Sequence, residues 1–212
     1  MITKTIQYLP ENLKPALIIR HAERYSIDGL RNALDALLTE KGKEDAFELG
    51  KDLARPGPIN LYHSPVERCR QTAEFILKGI NSVRKNSRLI GPNIDLGGPY
   101  VVGDFNELIN LINEHGFSKF TRMWFDGRIS DKLLMPLDAA AETQVMVLKQ
   151  QVKNEVSSSV NVSHDWNIML LREYFFNLKH EDIGMPDFLD GIALYSQKGR
   201  MILQYHGYDR EI

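Results

Sequence analysis

The 212-residue sequence predicts an α/β fold with a mainly parallel sheet. Three short apolar runs rich in β-branched residues alternate with longer stretches in which apolar residues recur at helical spacing. This alternation is typical of parallel strands joined by helices. Two further apolar runs stand close together near the end of the chain with a glycine between them, which is typical of a hairpin. Each of the first three runs is followed directly by charged side chains and histidines.

The predicted strands fall into two groups. The first three runs are separated by helical stretches, so we expect parallel strands. In the second group, "SQKGR" separates two β-rich runs and predicts a hairpin with Gly199 in its turn, at an edge of the sheet. The runs are "ALII" (16–19), "INLY" (59–62), "VNV" (160–162), "GIALY" (191–195) and "MILQY" (201–205).

Two stretches of helical spacing support the assignment of the intervening segments. In 37–54, Thr39 is a suitable N-cap residue before the first helical turn. In 139–156, valines and a leucine recur at spacings of three and four residues, so one face of each helix is apolar. The apolar positions are Ala46, Leu49 and Leu53 in the first helix and Val145, Leu148, Val152 and Val156 in the second.

The length and the breaker residues indicate one domain, 1–212, with an insertion. Glycines and prolines concentrate in 88–100, which we expect to be a loop after a short strand, and an insertion from about 94 to 141 would follow as a cap or lid. Its aromatic cluster, 120–125, is expected to form a small local core. The alternative is a lid from which Arg122 or Arg128 reaches the substrate.

The composition limits the classes of partner and the compartment. Twenty-six basic and 28 acidic residues give a formal charge of −2, so no general attraction to nucleic acid or to an anionic membrane is expected. The single cysteine, Cys69, excludes an internal disulfide framework. Without an apolar signal segment or a run long enough to span a membrane, the expected location is cytoplasmic.

The charged residues lie where a parallel sheet binds its ligands. Such sheets bind ligands beyond the carboxyl ends of their strands, and all three charged clusters follow strand ends. Several arginines and imidazoles around one point would bind an oxyanion such as phosphate. No Walker loop and no histidine spacing typical of zinc is present, so neither a metal nor a cofactor is expected. The clustered residues are Arg20, His21, Arg24, Arg68, His164 and Asp165.

Two of these clusters also fit local roles at the start of a helix. Ser64 with Glu67 matches a capping box, which would place Arg68 in the first turn of a helix and let Arg70 and Glu74 pair on its outer face. Asp165 is a suitable N-cap residue for the helix that follows it, a role that needs no catalysis. Any single arginine is more often a surface residue than a ligand-binding one.

Glu23 and His63 each lie next to one of these motifs, and the sequence does not assign either of them to the pocket. Glu23 could orient Arg20 or Arg24, although an ordinary exposed glutamate fits the sequence equally well. His63 precedes Ser64 and is interpreted as structural rather than as part of the pocket.

Taken in order, these motifs resemble those of the histidine phosphatase superfamily. The family's Arg-His-Gly is similar to Arg20-His21-Ala22, and its Ser-Pro-x-x-Arg-x-x-x-Thr-Ala stretch is similar to 64–73. The helix between these motifs is similar to 38–53, and the second histidine would be His164. Ala22 departs from the family glycine, and the His-Asp pair looks like that of the acid-phosphatase branch although the chain is as short as a mutase-branch member.

The resemblance implies a three-layer α/β/α fold like that of phosphoglycerate mutase, with a helical insertion. It also implies a phosphomonoester hydrolase that acts through a phosphohistidine on a small phosphorylated metabolite or a phosphoprotein. His21 would be the nucleophile and Asp165 the general acid, with Asp104 or Glu107 in the insertion as alternative acids. The residues expected to bind phosphate are Arg20, Arg24, Arg68 and His164.

Two other functions remain open at this point. A mutase-like phosphotransferase would return the phosphoryl group to its substrate instead of to water. A catalytically weak protein that only binds a phosphorylated ligand would use the same pocket. The presence of both histidines, three arginines and a candidate acid favours the hydrolase over this third function.

Overall fold

The fold is built on one sheet of seven strands within the described residues. The structure, a computed structural model, describes residues 1–26, 34–153 and 156–212. The strands lie in the order β3-β2-β4-β1-β5-β6-β7. The strands are β1 (Ala16–Arg20), β2 (Ile59–His63), β3 (Arg88–Pro92), β4 (Ser158–Ser163), β5 (Gly191–Gln197), β6 (Arg200–Tyr205) and β7 (Tyr208–Glu211).

Helices cover the sheet and supply its connections. A 3-10 turn at Ile94–Leu96 follows β3. The helices are α1 (Thr3–Ile6), α2 (Glu40–Asp52), α3 (Glu67–Val83), α4 (Phe105–His115), α5 (Phe117–Phe125), α6 (Leu137–Val152), α7 (Asp165–Phe176) and α8 (His180–Ile183).

The sheet is parallel on one side of β1 and antiparallel on the other. Strands β1 to β4 pair in parallel, as predicted from their helical connections. Strand β5 pairs antiparallel with β1, with Ile18 opposite Ile192, and β6 and β7 continue the antiparallel half. The predicted α/β fold is confirmed, with a mixed sheet and a parallel core.

Strand β1 shows why the fold has three layers. Leu17 and Ile19 pack into the apolar core under α1, α2 and α3, whereas Ala16 and Ile18 pack into the core formed by α4 to α7. Successive side chains of a strand point to opposite faces, so a strand with a continuous apolar sequence is buried on both sides.

The predicted hairpin is present, but its place in the sheet differs. Lys198 and Gly199 form its turn with positive φ angles of 51° and 79°, a conformation that suits the two-residue turn between antiparallel strands. A second two-residue turn, His206-Gly207, leads to β7. Strand β7 was not predicted and is the outer strand, so the expectation that β5 and β6 form the edge is wrong. Its exposed, polar sequence carries no apolar alternation that would have indicated a strand.

Three other predicted boundaries need correction. The segment expected to be a loop from 88 begins with the edge strand β3. Helix α6 ends at Val152, and Val156, predicted on its apolar face, is exposed because the chain has already left the helix to enter β4. Helix α3 begins at Glu67 instead of directly after Ser64.

The insertion is helical, as predicted, and contains α4 and α5. Its expected upper limit near 141 falls inside α6, a helix that packs against β1 and β5 and so belongs to the main layers. Within the described part of the chain, no helix combines the length and the apolar character needed to cross a membrane.

Candidate active site

The site begins at the carboxyl end of β1. The guanidinium group of Arg20 donates to the carbonyl oxygen of Pro186 at 2.6 Å and pairs with a carboxylate oxygen of Asp165 at 3.1 Å. Phe188 lies under the same group, with its ring centre 4.3 Å from the guanidinium carbon. These contacts, from segments far apart in sequence, hold Arg20 at the edge of the sheet.

His21 is buried and its geometry defines its tautomer. Nδ1 lies 2.8 Å from the carbonyl oxygen of Ala22, so Nδ1 carries the hydrogen and Nε2 presents a lone pair. The side chain is removed from water, with only 2% of the residue exposed, and the positive charge of Arg68 is near. Burial first, and this charge second, lower the pKa of His21 well below its usual value, so the imidazole is neutral at pH 7.

The next two residues connect this loop to the neighbouring helices. The backbone N–H of Ala22 donates to the hydroxyl of Thr72 in α3 at 3.1 Å. Ala22 is fully buried, and its φ is not positive, so an alanine fits where the family has glycine. The carboxylate of Glu23 accepts a hydrogen bond of 2.8 Å from the hydroxyl of Thr39, the N-cap residue of α2. Glu23 is therefore tied to the start of a helix, and neither interpretation made from the sequence describes it.

Helix α2 approaches this loop at Gly42. A Cβ atom at Gly42 would lie 2.1 Å from the backbone oxygen of Glu23, a distance at which the backbone would have to move. The glycine thus lets the helix pack directly on the segment that carries the site residues.

Arg68 lies in the first turn of α3, as predicted, although the expected capping box is absent. Val66 is the N-cap residue and makes no side-chain capping bond, and Glu67 pairs with Arg70 instead of reaching back. The predicted pair of Arg70 with Glu74 is present. Ser64 is buried in the extended segment before the helix, where its hydroxyl has a different partner.

That partner is His164, which follows β4. Nδ1 of His164 accepts a hydrogen bond from Nη2 of Arg68 at 3.0 Å, and Nε2 lies 2.9 Å from the hydroxyl of Ser64. An arginine can only donate, so the hydrogen of the neutral imidazole is on Nε2 and points to Ser64. Burial and the charge of Arg68 lower the pKa of His164 to about 4. The rings of His21 and His164 lie edge to face with centres 5.8 Å apart.

Asp165 is the first residue of α7, and its predicted role as N-cap is wrong. His164 occupies the cap position without a side-chain capping bond, because its ring is held by Arg68 and Ser64. One carboxylate oxygen of Asp165 accepts the backbone N–H of Trp166 at 2.9 Å, and the other pairs with Arg20.

The alternative acids lie elsewhere on the insertion. Asp104 is the N-cap residue of α4, and one of its oxygens accepts the backbone N–H groups of Asn106 and Glu107 at 2.7 and 2.9 Å. Both Asp104 and Glu107 are exposed. Neither lines the cleft described below, whereas Asp165 does.

Arg24 completes the positive group. Its guanidinium donates to the carbonyl oxygen of Tyr25 at 2.9 Å. Its charge lowers the pKa values of Arg20 and Arg68, in each case adding to the larger effect of burial. Sequence analysis did not identify the contributions of Ser64 and Phe188 to the site. The Ser-Pro-x-x-Arg motif could have indicated Ser64, whereas no local pattern indicates Phe188.

An open cleft of about 190 Å³ adjoins these residues. Arg68, His164 and Asp165 lie at one end. The remaining described lining is apolar or glycine and includes Tyr100 beside the 3-10 turn and Phe105 of α4.

The aromatic cluster of the insertion is part of the core. Phe120 and Trp124 are fully buried, and the indole N–H of Trp124 donates to the carbonyl oxygen of Met135 at 2.7 Å. Arg122 pairs with Glu173 and Glu181, and Arg128 pairs with Asp126. The cluster is therefore buried as expected, but it is continuous with the main core on one face of the sheet and is not a small local core. The expectation that Arg122 reaches the substrate is not supported by its contacts.

A group of metal-ligating side chains lies near Arg122. Among the residues that the structure describes, Glu173, His180 and Glu181 are close enough to share an ion. Both carboxylates are already paired with Arg122, and the ring of His180 contacts Ser118.

The part of the chain that carries the first site residues matches a known protein family. Residues 16–96 match the model of the histidine phosphatase superfamily, branch 1. The resemblance drawn from the motifs is confirmed. The matched part includes Arg20, His21, Arg24 and Arg68, whereas His164 and Asp165 lie beyond it.

Solved structures resemble most of the chain in fold. A mycobacterial glucosyl-3-phosphoglycerate phosphatase has a TM-score of 0.62 at 16% identity, over 92% of this chain and all of that one. A phosphoserine phosphatase mutant from Entamoeba histolytica in complex with phosphoserine has a TM-score of 0.58 at 20% identity, over 90% and 94%. A phosphoglycerate mutase from Bacillus anthracis has a TM-score of 0.55 at 16% identity, over 95% and 93%.

At these identities the likeness establishes the fold alone. The predicted phosphoglycerate mutase-like architecture is thereby confirmed. No curated protein matches the chain in sequence.

Proposed function

We propose that this chain is a phosphomonoesterase that works through a phosphohistidine formed on Nε2 of His21. The observation that carries the proposal is the state of this imidazole. Its Nδ1 hydrogen is bound to the carbonyl oxygen of Ala22, its pKa is lowered by burial, and its ring lies beside Arg68 and His164. A neutral imidazole with a fixed lone pair among cations is suited to attack phosphorus.

In the first step Nε2 forms a bond to phosphorus as the bond from phosphorus to the leaving oxygen breaks. Asp165, in its protonated form, gives its proton to that oxygen, and the alcohol leaves. Asp165 suits this role by its position, because it lines the cleft next to the phosphate-binding groups.

The positive groups would stabilise the charge on the three equatorial oxygens of phosphorus. Arg20 and Arg68 are buried enough that their pKa values fall, although both remain charged at pH 7. Arg20 is held before substrate binds by its contacts with Pro186 and Phe188, so it needs little reorganisation as charge develops. Both nitrogens of His164 are already engaged, so His164 can donate to phosphate from Nδ1 only after Arg68 turns toward the anion and this nitrogen takes up a proton.

In the second step water attacks phosphorus and the bond to Nε2 breaks. The carboxylate of Asp165 takes the proton of that water and returns to its starting form, and inorganic phosphate leaves. The division into two steps replaces one difficult displacement by two easier ones.

The substrate proposed from the site is a small phosphorylated metabolite or a phosphoprotein. The phosphatases with similar structures support hydrolysis, since their names record action on phosphorylated small molecules. We also propose that the insertion acts as a cap, because α4 supplies one wall of the cleft.

The experiment is to trap the phosphoenzyme. Wild-type protein mixed with a ³²P-labelled phosphomonoester and quenched in alkali should retain label, since a phosphohistidine survives alkali and is lost in acid. His21→Ala should retain none and should release no phosphate. His115→Ala, which changes a histidine at the end of α4, is the matched control and should behave as wild type.

Three results would contradict the proposal. Labelling of His21→Ala would show a different nucleophile. Isomerised ester instead of free phosphate would show a mutase. Binding of phosphomonoesters without labelling or release would show a protein that only binds its ligand.

A further inference from the structure

The cleft beside Asp165 differs in chemistry from the phosphate-binding group. Arg68, His164 and Asp165 are at its end, and its other described lining residues carry no charged side chain. One wall is the buried face of α4, with Leu108 and Ile109. The cleft therefore offers an ion-binding end and an apolar body.

Another part of the lining is aromatic and is held by contacts among its own rings. Trp166 stacks on Phe117 with ring centres 5.3 Å apart and an angle of 18° between the planes. The indole N–H of Trp166 donates to the hydroxyl of Thr121 at 3.0 Å, so it is not available to a ligand. Tyr100 lies edge to face against the same indole. These rings present apolar surface to the cleft.

Phe105 is unusual because it is both exposed and part of this lining. The residue is 48% exposed at the first position of α4, where a polar side chain would cost nothing in stability. Apolar side chains that line a cleft next to polar groups are typical of a ligand site.

The mechanism determines what occupies the cleft. In a displacement by Nε2 of His21, the leaving oxygen must lie next to Asp165, and Asp165 lines the cleft. We propose, on the basis of the proposed function, that the cleft binds the alcohol portion of the substrate and that this portion is apolar and about one ring in size. A cavity of ~150 Å³ lined by apolar side chains holds a benzene ring, and the cleft is somewhat larger.

Binding to a catalytically inactive protein tests this directly. Benzyl phosphate and glycerol 3-phosphate have the same charged group and an alkyl leaving group, and they differ in the polarity of the alcohol. We expect His21→Ala to bind benzyl phosphate about 10- to 100-fold more tightly, the range that follows from burying a group as large as a phenylalanine side chain. Calorimetry should show a more negative heat-capacity change for the apolar ester.

Two variants locate the effect. Phe105→Ala in the inactive background should weaken binding of benzyl phosphate by about 10-fold and leave glycerol 3-phosphate unchanged. Val102→Ala is the matched control: Val102 is similarly exposed, at 49%, three residues away and outside the lining, and its loss should change neither.

The outcomes separate this inference from the proposed function. Equal binding of the two esters, tighter binding of glycerol 3-phosphate, or an equal loss for both esters in Phe105→Ala would overturn the apolar site. Tight, Phe105-dependent binding of benzyl phosphate would support the site even if wild-type protein hydrolysed no ester, in which case the proposed function alone would fail.

Discussion

Nη2 of Arg68 lies 3.0 Å from Nδ1 of His164, and this contact determines which nitrogen of the histidine carries its hydrogen. The arginine comes from α3 and the histidine from the end of β4, 96 residues later in the chain. The arginine donates to this ring in the free protein and, in the proposed mechanism, turns to the substrate when it binds. Arg68 therefore connects the site residues of α3 with those that follow β4.

Replacing Arg68 with lysine should lower kcat by about 100- to 1000-fold, although the charge is retained. Lysine presents a single ammonium group in place of a planar guanidinium, so it cannot bind two phosphate oxygens in the same fixed geometry. Phosphate release at saturating substrate measures this. Arg70→Lys on the same helix is the control, since Arg70 pairs with Glu67 and Glu74 away from the site. A kcat within threefold of wild type for Arg68→Lys would contradict a role in catalysis.

Binding of a doubly charged anion should be coupled to uptake of a proton by His164. Its pKa, about 4 in the free protein because of burial and the charge of Arg68, rises when a dianion offsets that charge. At pH 6 the free imidazole is neutral, so binding moves protons from solvent to protein. Sulfate is the suitable probe because it does not itself titrate at this pH. Calorimetry in buffers of different ionisation enthalpy should show uptake approaching one proton.

His164→Gln is the control for this measurement and should abolish the uptake. If uptake persisted unchanged in that variant, the proton would be going to another group, and His21 would be the next to test.

Replacing Asp165 with asparagine should slow hydrolysis of alkyl phosphates by about 100- to 10,000-fold. The reason is that an alkoxide leaves poorly without a proton. The loss should be much smaller for 4-nitrophenyl phosphate, whose leaving group needs no proton. Asp104→Asn and Glu107→Gln, which change the alternative acids, should leave both rates unchanged. A large loss in either of these, with Asp165→Asn active, would move the acid to the insertion.

Replacing Gly42 with alanine should destabilise the protein by roughly 1–3 kcal/mol, as expected when packed elements are forced apart. The new Cβ would lie 2.1 Å from the backbone oxygen of Glu23. Urea unfolding measures the change. Glu44→Ala, at an exposed position of the same helix, is the control and should be near neutral. An equal stability for both variants would show that this contact can relax without cost.

Local patterns were sufficient to predict much of the fold. The buried runs of β1, β2 and β4, the cap at Thr39 and the turn at Gly199 all depend on residues close together in sequence. Predictions failed where a side chain had a distant partner. Ser64 has the sequence of a capping residue, but its hydroxyl contacts His164, and the helix begins later.

The sequence by itself determined the α/β class and the candidate residues at three strand ends, because side-chain periodicity and strand-end position are local properties of the chain. Only the tertiary structure decided how those residues are used. It shows the neutral state and tautomer of His21, the pair of Arg20 with Asp165, and an apolar cleft beside them. The neutral state of His21 depends on burial, and Arg20 pairs with a residue far away in the chain. Burial and such contacts exist only once the sheet has assembled.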